Sequence, residues 1–196
     1  AILRKRSIHK RAAWMFRRAD PQEVERLSIS LGVSPLLARL LVNRGIRREA
    51  EAVRFLEPRP TLSDPFELPG MQRAARRLAE AVKCGGDVLV FGDYDADGVT
   101  ATALLMRGLR RLGLSPRYVI PDRLHEGYGF QGTAARRAIS DGAGLIVTVD
   151  CGVSSKHEID EASRAGVDVI VTDHHRLPDE LPDAAALVDP WLSQRA

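Results

Sequence analysis

Nowhere in the sequence do apolar residues run on for the roughly 20 positions that a membrane-spanning helix needs, and no apolar segment follows the basic start as it would in an export signal. Cysteine is scarce: Cys84 and Cys151 stand far apart, with no CxxC pair and no Cys/His spacing of a structural zinc site. These absences lead us to expect an unexported, cytoplasmic protein without membrane association. Neither a GxGxxG turn nor a Walker P-loop follows directly on an expected strand, which argues against the usual nucleotide cradles. Acidic residues are missing ahead of Asp20, so Arg4, Lys5, Arg6, Lys10, Arg11, Arg17 and Arg18 form a basic stretch. Such a stretch can meet phosphate, but charge alone carries no specificity, and a solvated basic tail explains it equally well.

What is present divides the chain in two. The first third reads as helical, because its apolar residues recur every three or four positions. Asp20-Pro21-Gln22-Glu23 is a start signal: Asp as N-cap, Pro at the first helical position and Glu placed to close a capping box. Val24, Leu27 and Leu31 then share a face. A second helix is expected from Ser34-Pro35 to about Asn43–Gly45, and a third from Arg48 to Leu56. The Leu31-Gly32-Val33-Ser34 turn looks like that of DNA-reading helix-turn-helix units, but Leu36, Leu37, Leu40 and Leu41 make the second helix look built for packing. Pro58, Pro60, Pro65 and Pro69 mark a linker, and Met71 to Lys83 resumes as an amphipathic helix. We place the boundary so that residues 1–69 are a helical region with its linker and residues 70–196 an α/β domain.

From Asp87 onward, short apolar runs alternate with helical stretches, the pattern of a parallel sheet with crossover helices. Strands are expected at 87–92, 117–121, 144–149, 167–172 and 185–188, with helices over 98–112, 131–141 and 155–165. The fold class is α/β, a doubly wound parallel sheet preceded by a small helical region.

Four of the runs lead into aspartate: Asp93, Asp122, Asp150 and Asp173. The carboxyl ends of parallel strands share one edge, where ligands bind, so these carboxylates should converge there. An Asp between strand and helix is also a favoured helix cap, and that is the expectation for Asp122. It is a strained explanation for the rest, because Asp93, Asp95 and Asp97 crowd together and Asp173 runs directly into His174 and His175. Crowded like charges raise one another's pKa unless something positive intervenes, and a divalent metal is the simplest remedy. Carboxylates with imidazole suit manganese, magnesium or zinc. Several on one rim can hold two ions about 3.5–4 Å apart, an arrangement that cleaves phosphate esters. Manganese is favoured, with magnesium next.

Three segments carry a family resemblance. Gly92-Asp93-Tyr94-Asp95-Ala96-Asp97-Gly98, then Thr148-Val149-Asp150-Cys151-Gly152, then Thr172-Asp173-His174-His175 resemble, in order and spacing, the first three motifs of the DHH phosphoesterases. Ile120-Pro121-Asp122-Arg123 leading into Glu126-Gly127-Tyr128-Gly129-Phe130, with the LGVSPLLARLLVNRGI and DPFELPGM segments, is similar to the single-strand-specific exonuclease branch of that family. The resemblance implies a metal-dependent exonuclease that releases mononucleotides from the 5′ end of single-stranded DNA, in repair and recombination and alongside other repair proteins. It implies Asp93 and Asp95 as ligands of two ions, Asp150 as their bridge and His174 as a further ligand. Asp173 and His175 would orient the site or contact the phosphate, Asp97 belongs to the same catalytic group, and Arg123, Tyr128 and Phe130 would meet the DNA. A fourth motif with another aspartate and a second domain belong to that branch, and we find no equivalent before Ala196. The chain alone is therefore expected to bind manganese weakly and to hydrolyse DNA poorly.

Three other readings stay open. A haloacid-dehalogenase-like phosphatase would use an Asp of the Asp93-Tyr94-Asp95 segment as nucleophile, but needs a lysine nearby, and Lys156 is the only one after the motif. A non-catalytic binding scaffold would keep the fold without the chemistry. A small-nucleotide phosphodiesterase of the same superfamily would lack the N-terminal segments.

Overall fold

The computed structural model describes residues 17–57, 62–125, 127 and 129–194. The chain forms two compact units, the second beginning at Leu62. The segment with Pro65 and Pro69, which the sequence assigns to the linker, therefore sits within the second unit. The basic residues Arg4 to Arg11 lie outside the described residues, while Arg17 and Arg18 are exposed.

In the first unit three helices, α1 (Pro21–Leu31), α2 (Pro35–Asn43) and α3 (Glu49–Leu56), close around Val24, Leu27, Ala38, Leu41, Val42 and Ala52. Asp20 caps α1 by accepting from Gln22 N at 2.9 Å, and Ser34 caps α2 by accepting from Leu37 N at 3.3 Å. Gly32, in the left-handed region, ends α1 where a side chain would be strained. Two details differ from expectation. Glu23 does not close a capping box but pairs with Arg47 at 3.1 Å, bridging the first helix to the approach of the third. Leu36 and Leu40 face solvent, because α2 turns Ala38, Leu41 and Val42 inward instead.

The second unit is a five-stranded, all-parallel sheet with strand order β2-β1-β3-β4-β5, made of β1 (Val88–Gly92), β2 (Arg117–Val119), β3 (Leu145–Val149), β4 (Asp168–Thr172) and β5 (Ala186–Val188). Both faces are covered, which explains why the strands read as unbroken apolar runs. Alternate residues go to opposite layers. Val88 and Val90 join Val147, Val149 and Ile170 beneath α4 (Met71–Cys84) and α5 (Ala96–Arg111). Leu89 and Phe91 join Ile146, Val169 and Val171 beneath α6 (Gly132–Ser140) and α7 (Lys156–Arg164). The helix after β1 and the helix after β3 thus leave to opposite faces, and a crevice opens between the carboxyl ends of these neighbouring strands.

Every expected element of the sheet is present, with shifts of one or two residues at the ends. One of the two-residue shifts has a local cause. α5 begins at Ala96 rather than 98 because the Asp95 carboxylate accepts from Asp97 N (2.9 Å) and Gly98 N (3.0 Å), so Asp95 is a helix cap after all. Asp122, expected to be a cap, instead closes a turn by accepting from Leu124 N (2.7 Å) and His125 N (3.3 Å), and α6 starts only at Gly132.

Candidate metal centre

The crevice is lined by the strand-end acids. Asp93 follows β1 directly and is almost fully buried. Asp95 stands two residues on, held at the N-terminus of α5 by the two backbone donors that also pull its carboxyl below the usual range, Gly98 N foremost. Asp150 follows β3 with φ of 63°, the left-handed region, while its backbone N–H still donates to Thr172 O on β4 at 2.9 Å. That backbone costs a non-glycine residue about 1 kcal/mol or more and turns the carboxylate toward the end of β4. There His174 Nε2 meets Asp150 Oδ1 at 2.8 Å.

Asp173 anchors the end of β4. Its Oδ2 accepts from Val153 N at 3.0 Å, and its Oδ1 accepts from His174 N (2.7 Å), His175 N (3.1 Å) and His175 Nδ1 (2.7 Å). Where Asp173 is ionised it can only accept, and the Nδ1 proton then lies on His175. His175 is thereby held through Nδ1. Burial lowers the His175 pKa, but the Asp173 hydrogen bond and the surrounding carboxylates outweigh it and leave it raised.

Ligand-type atoms of Asp93, Asp95 and Asp150 all lie within 4.8 Å of one another, and so do those of Asp150, His174 and His175. The two groups share Asp150. No Lys or Arg among the described residues pairs with Asp93, Asp95, Asp150 or Asp173. Asp93 Oδ1 and Asp150 Oδ2 are buried with no hydrogen-bond partner among the described residues. An unpartnered buried polar atom costs about 1–3 kcal/mol, more when charged. Burial raises the Asp150 carboxyl, the His174 hydrogen bond opposes that rise, and neighbouring Asp95 adds to it. Hard oxygen donors and imidazole, two of the oxygens unsatisfied, fit a divalent cation. Cys151 does not join them: it is fully buried, and burial pushes its thiol far up, so it stays a neutral packing residue.

The remaining expected residues separate. Asp97 lies exposed in the first turn of α5 and belongs to neither ligand group. Arg123 is exposed, its guanidinium carbon 5.2 Å from the centre of the ring of Tyr94, the residue that stands between Asp93 and Asp95 in the sequence. Tyr128 lies outside the described residues. Phe130, expected to stack on a base, is a core residue: it is 1% exposed and packs edge-on against Phe91 with ring centroids 5.1 Å apart. A ring enclosed in this way offers no face to a nucleotide.

Asp189 is a further strand-end acid, not among the residues expected at the site. It follows β5 as Asp93 follows β1, and it is completely buried; Oδ1 accepts from Trp191 N at 2.8 Å, while Oδ2 has no partner among the described residues. Burial raises its carboxyl, and the charge of Asp173 adds to the rise. The signal was the same apolar run ending in Asp, weakened because β5 is only three residues long.

Residues 87–196 match the family model described as the DHH family, N-terminal domain. The chain belongs to the DHH family. Among curated DHH relatives, the single-stranded-DNA-specific exonuclease RecJ of Bacillus subtilis is 42% identical over 178 residues, which is 90% of this chain and 23% of the relative. Among solved structures, an exonuclease RecJ bound to manganese is 40% identical with a TM-score of 0.64, over 69% of this chain and 34% of its own. RecJ from Thermus thermophilus in complex with Mn2+ is 35% identical with a TM-score of 0.66, over 87% of this chain and 24% of its own. The chain thus spans about a quarter of the length of the B. subtilis relative. The haloacid-dehalogenase reading loses its lysine, since Lys156 pairs with Asp160 at 3.2 Å along α7.

Proposed function

We propose that this DHH chain carries the metal-binding part of a phosphodiesterase that removes nucleotides from the 5′ end of single-stranded DNA, a reaction used in repair and recombination in the cytoplasm. The observation that carries the reading is the convergence of Asp93, Asp95, Asp150, His174 and His175 on one crevice with two buried carboxylate oxygens left unsatisfied. The similarity to RecJ, an exonuclease specific for single-stranded DNA and solved with manganese, supports the substrate and the ion.

Asp93, Asp95, Asp150 and His174 would hold two manganese ions, or magnesium in their place, with Asp150 shared between the two ligand groups. Bound there, divalent ions supply Lewis-acid polarisation of the phosphate ester and acidify the attacking water. The chain's own residues supply position. Asp95 is fixed by its two backbone donors, and Asp173 pins both histidine backbones and His175 Nδ1, which orients His175 as a contact for a phosphate oxygen. Arg123, steadied over Tyr94, would bind a backbone phosphate next to the scissile one. Other DNA-repair proteins are the natural partners of such an enzyme.

The test is a 5′-labelled single strand incubated with manganese and the full-length protein. Release of mononucleotides from the single strand, absent without metal, is expected. Arg123→Ala should weaken single-strand binding and reduce the slope of log affinity against log salt by about 0.7, the loss of one phosphate contact. An unchanged affinity at low salt would remove Arg123 from the interface, and hydrolysis that persists in chelator would overturn the metal-dependent reading.

A further inference from the structure

Metal ligands must be held to within a few tenths of an ångström, and the residues that aim them matter almost as much as the ligands. His174 is a demanding case, because it lies past the end of β4 with its side chain largely exposed. No strand ladder fixes its peptide unit.

Two contacts fix it instead. The His174 N–H donates to Asp173 Oδ1 at 2.7 Å, and the His174 carbonyl accepts from the indole Nε1–H of Trp191 at 3.0 Å. Trp191 is itself secured. Its backbone N–H donates to the fully buried Asp189 at 2.8 Å, and the Arg176 guanidinium carbon sits 5.1 Å from its ring centre. Asp189 follows β5, whose last residue, Val188, accepts from Asp173 N at 3.0 Å. The loop is closed: Asp173 and Asp189, at the ends of adjacent strands, hold the two sides of one peptide segment, with Trp191 as the clasp.

We infer that Trp191 is a positioning residue for the metal centre, its indole N–H locking the His174 carbonyl so that the imidazole is delivered to Asp150. Rotation of the peptide units flanking His174 would otherwise swing the ring away from the crevice. The hydrogen bond is the component that does this: the indole N–H reaches the His174 carbonyl directly, while the ring packs against the Arg176 guanidinium. The inference rests on the metal-binding reading of the site.

Trp191→Phe keeps an aromatic ring for Arg176 and removes only the N–H. Arg176→Ala keeps the N–H and removes the cation. Manganese affinity of the full chain is read by calorimetry, with the metal-free melt recorded for each variant. Trp14 and Trp191 are the only tryptophans, so a Trp14→Phe background also reports manganese binding through the fluorescence of Trp191. Expected are a loss of manganese affinity of about tenfold or more in Trp191→Phe, a metal-free melt like that of wild type, unchanged affinity in Arg176→Ala, and fluorescence that saturates with the calorimetric isotherm. Equal affinities in wild type and Trp191→Phe overturn the inference while leaving the metal site standing. An equal loss in Arg176→Ala also overturns it, since packing rather than the N–H would then be responsible. A wild-type chain that binds no manganese overturns the metal reading and this inference together.

Discussion

Asp150→Asn should abolish manganese binding and at the same time raise the melting temperature of the metal-free chain. Both effects follow from the position of Asp150, shared by two ligand groups and carrying a buried oxygen with no partner. The amide keeps shape and can still accept from His174, but it removes the charge that a divalent ion needs and that the apo fold must bear. Relief of a buried, crowded carboxylate is worth about 1–3 kcal/mol, or about 2–4 °C for each kcal/mol in a domain of this size. Manganese at 100 times its Kd should stabilise wild type by about 2.7 kcal/mol and the variant not at all. Acidity gives the same sign. The folded-state Asp150 carboxyl is raised above its ordinary value, so its contribution is fully present below the ordinary carboxyl pKa and is lost as pH rises through the raised one. The metal-free wild type should therefore approach the variant's stability on acidification. A scanning-calorimetry series with and without manganese checks all three points, and a variant that is less stable than metal-free wild type at neutral pH would remove the charge-crowding argument.

Gly98→Ala should cost both stability and metal affinity. A Cβ at this position would stand 2.6 Å from the Cα and carbonyl carbon of Asp93, which are backbone atoms and cannot swing aside. Either α5 backs away from β1 or Asp93 moves. Overpacking of this kind costs about 1–3 kcal/mol, and here it also displaces Asp93, a proposed ligand, together with the Asp95 cap that accepts from Gly98 N. Gly108 on the same helix is the control: a Cβ there meets nothing within 4 Å, and Gly108→Ala should stabilise by about 0.5–1 kcal/mol. Denaturant melts of the two variants should move in opposite directions. Similar behaviour would mean that the close approach of α5 to the end of β1 is not a constraint.

The sheet was legible because β1, β3 and β4 are buried on both faces and so write themselves as uninterrupted Val, Leu and Ile runs. The rim was legible for the same reason: once the strands are placed, Asp93, Asp150 and Asp173 must share an edge. What eluded the sequence depended on contacts between distant segments. Phe130 sits among glycines, as a base-stacking residue would, and only the fold shows that Phe91 closes over it. Leu36 and Leu40 stand exposed, since periodicity marks an apolar stripe but not which part of it is covered. Charge crowding around Asp95 masks its capping role in the sequence, whereas in the fold one carboxylate both caps α5 and joins the acidic cluster. Trp191 gave no signal at all, because its partner is a backbone carbonyl contributed by another strand end.

The metal centre is tested most directly by locating the ions. Anomalous diffraction at the manganese edge, from crystals of the chain grown with Mn2+, does so. Peaks within about 2.0–2.4 Å of carboxylate oxygens of Asp93, Asp95 and Asp150 and of an imidazole nitrogen of His174 are predicted, by analogy with other oxygen and imidazole sites. An ordered crevice with no anomalous density between the ends of β1, β3 and β4, at manganese concentrations that fill a site elsewhere on the protein, would contradict it.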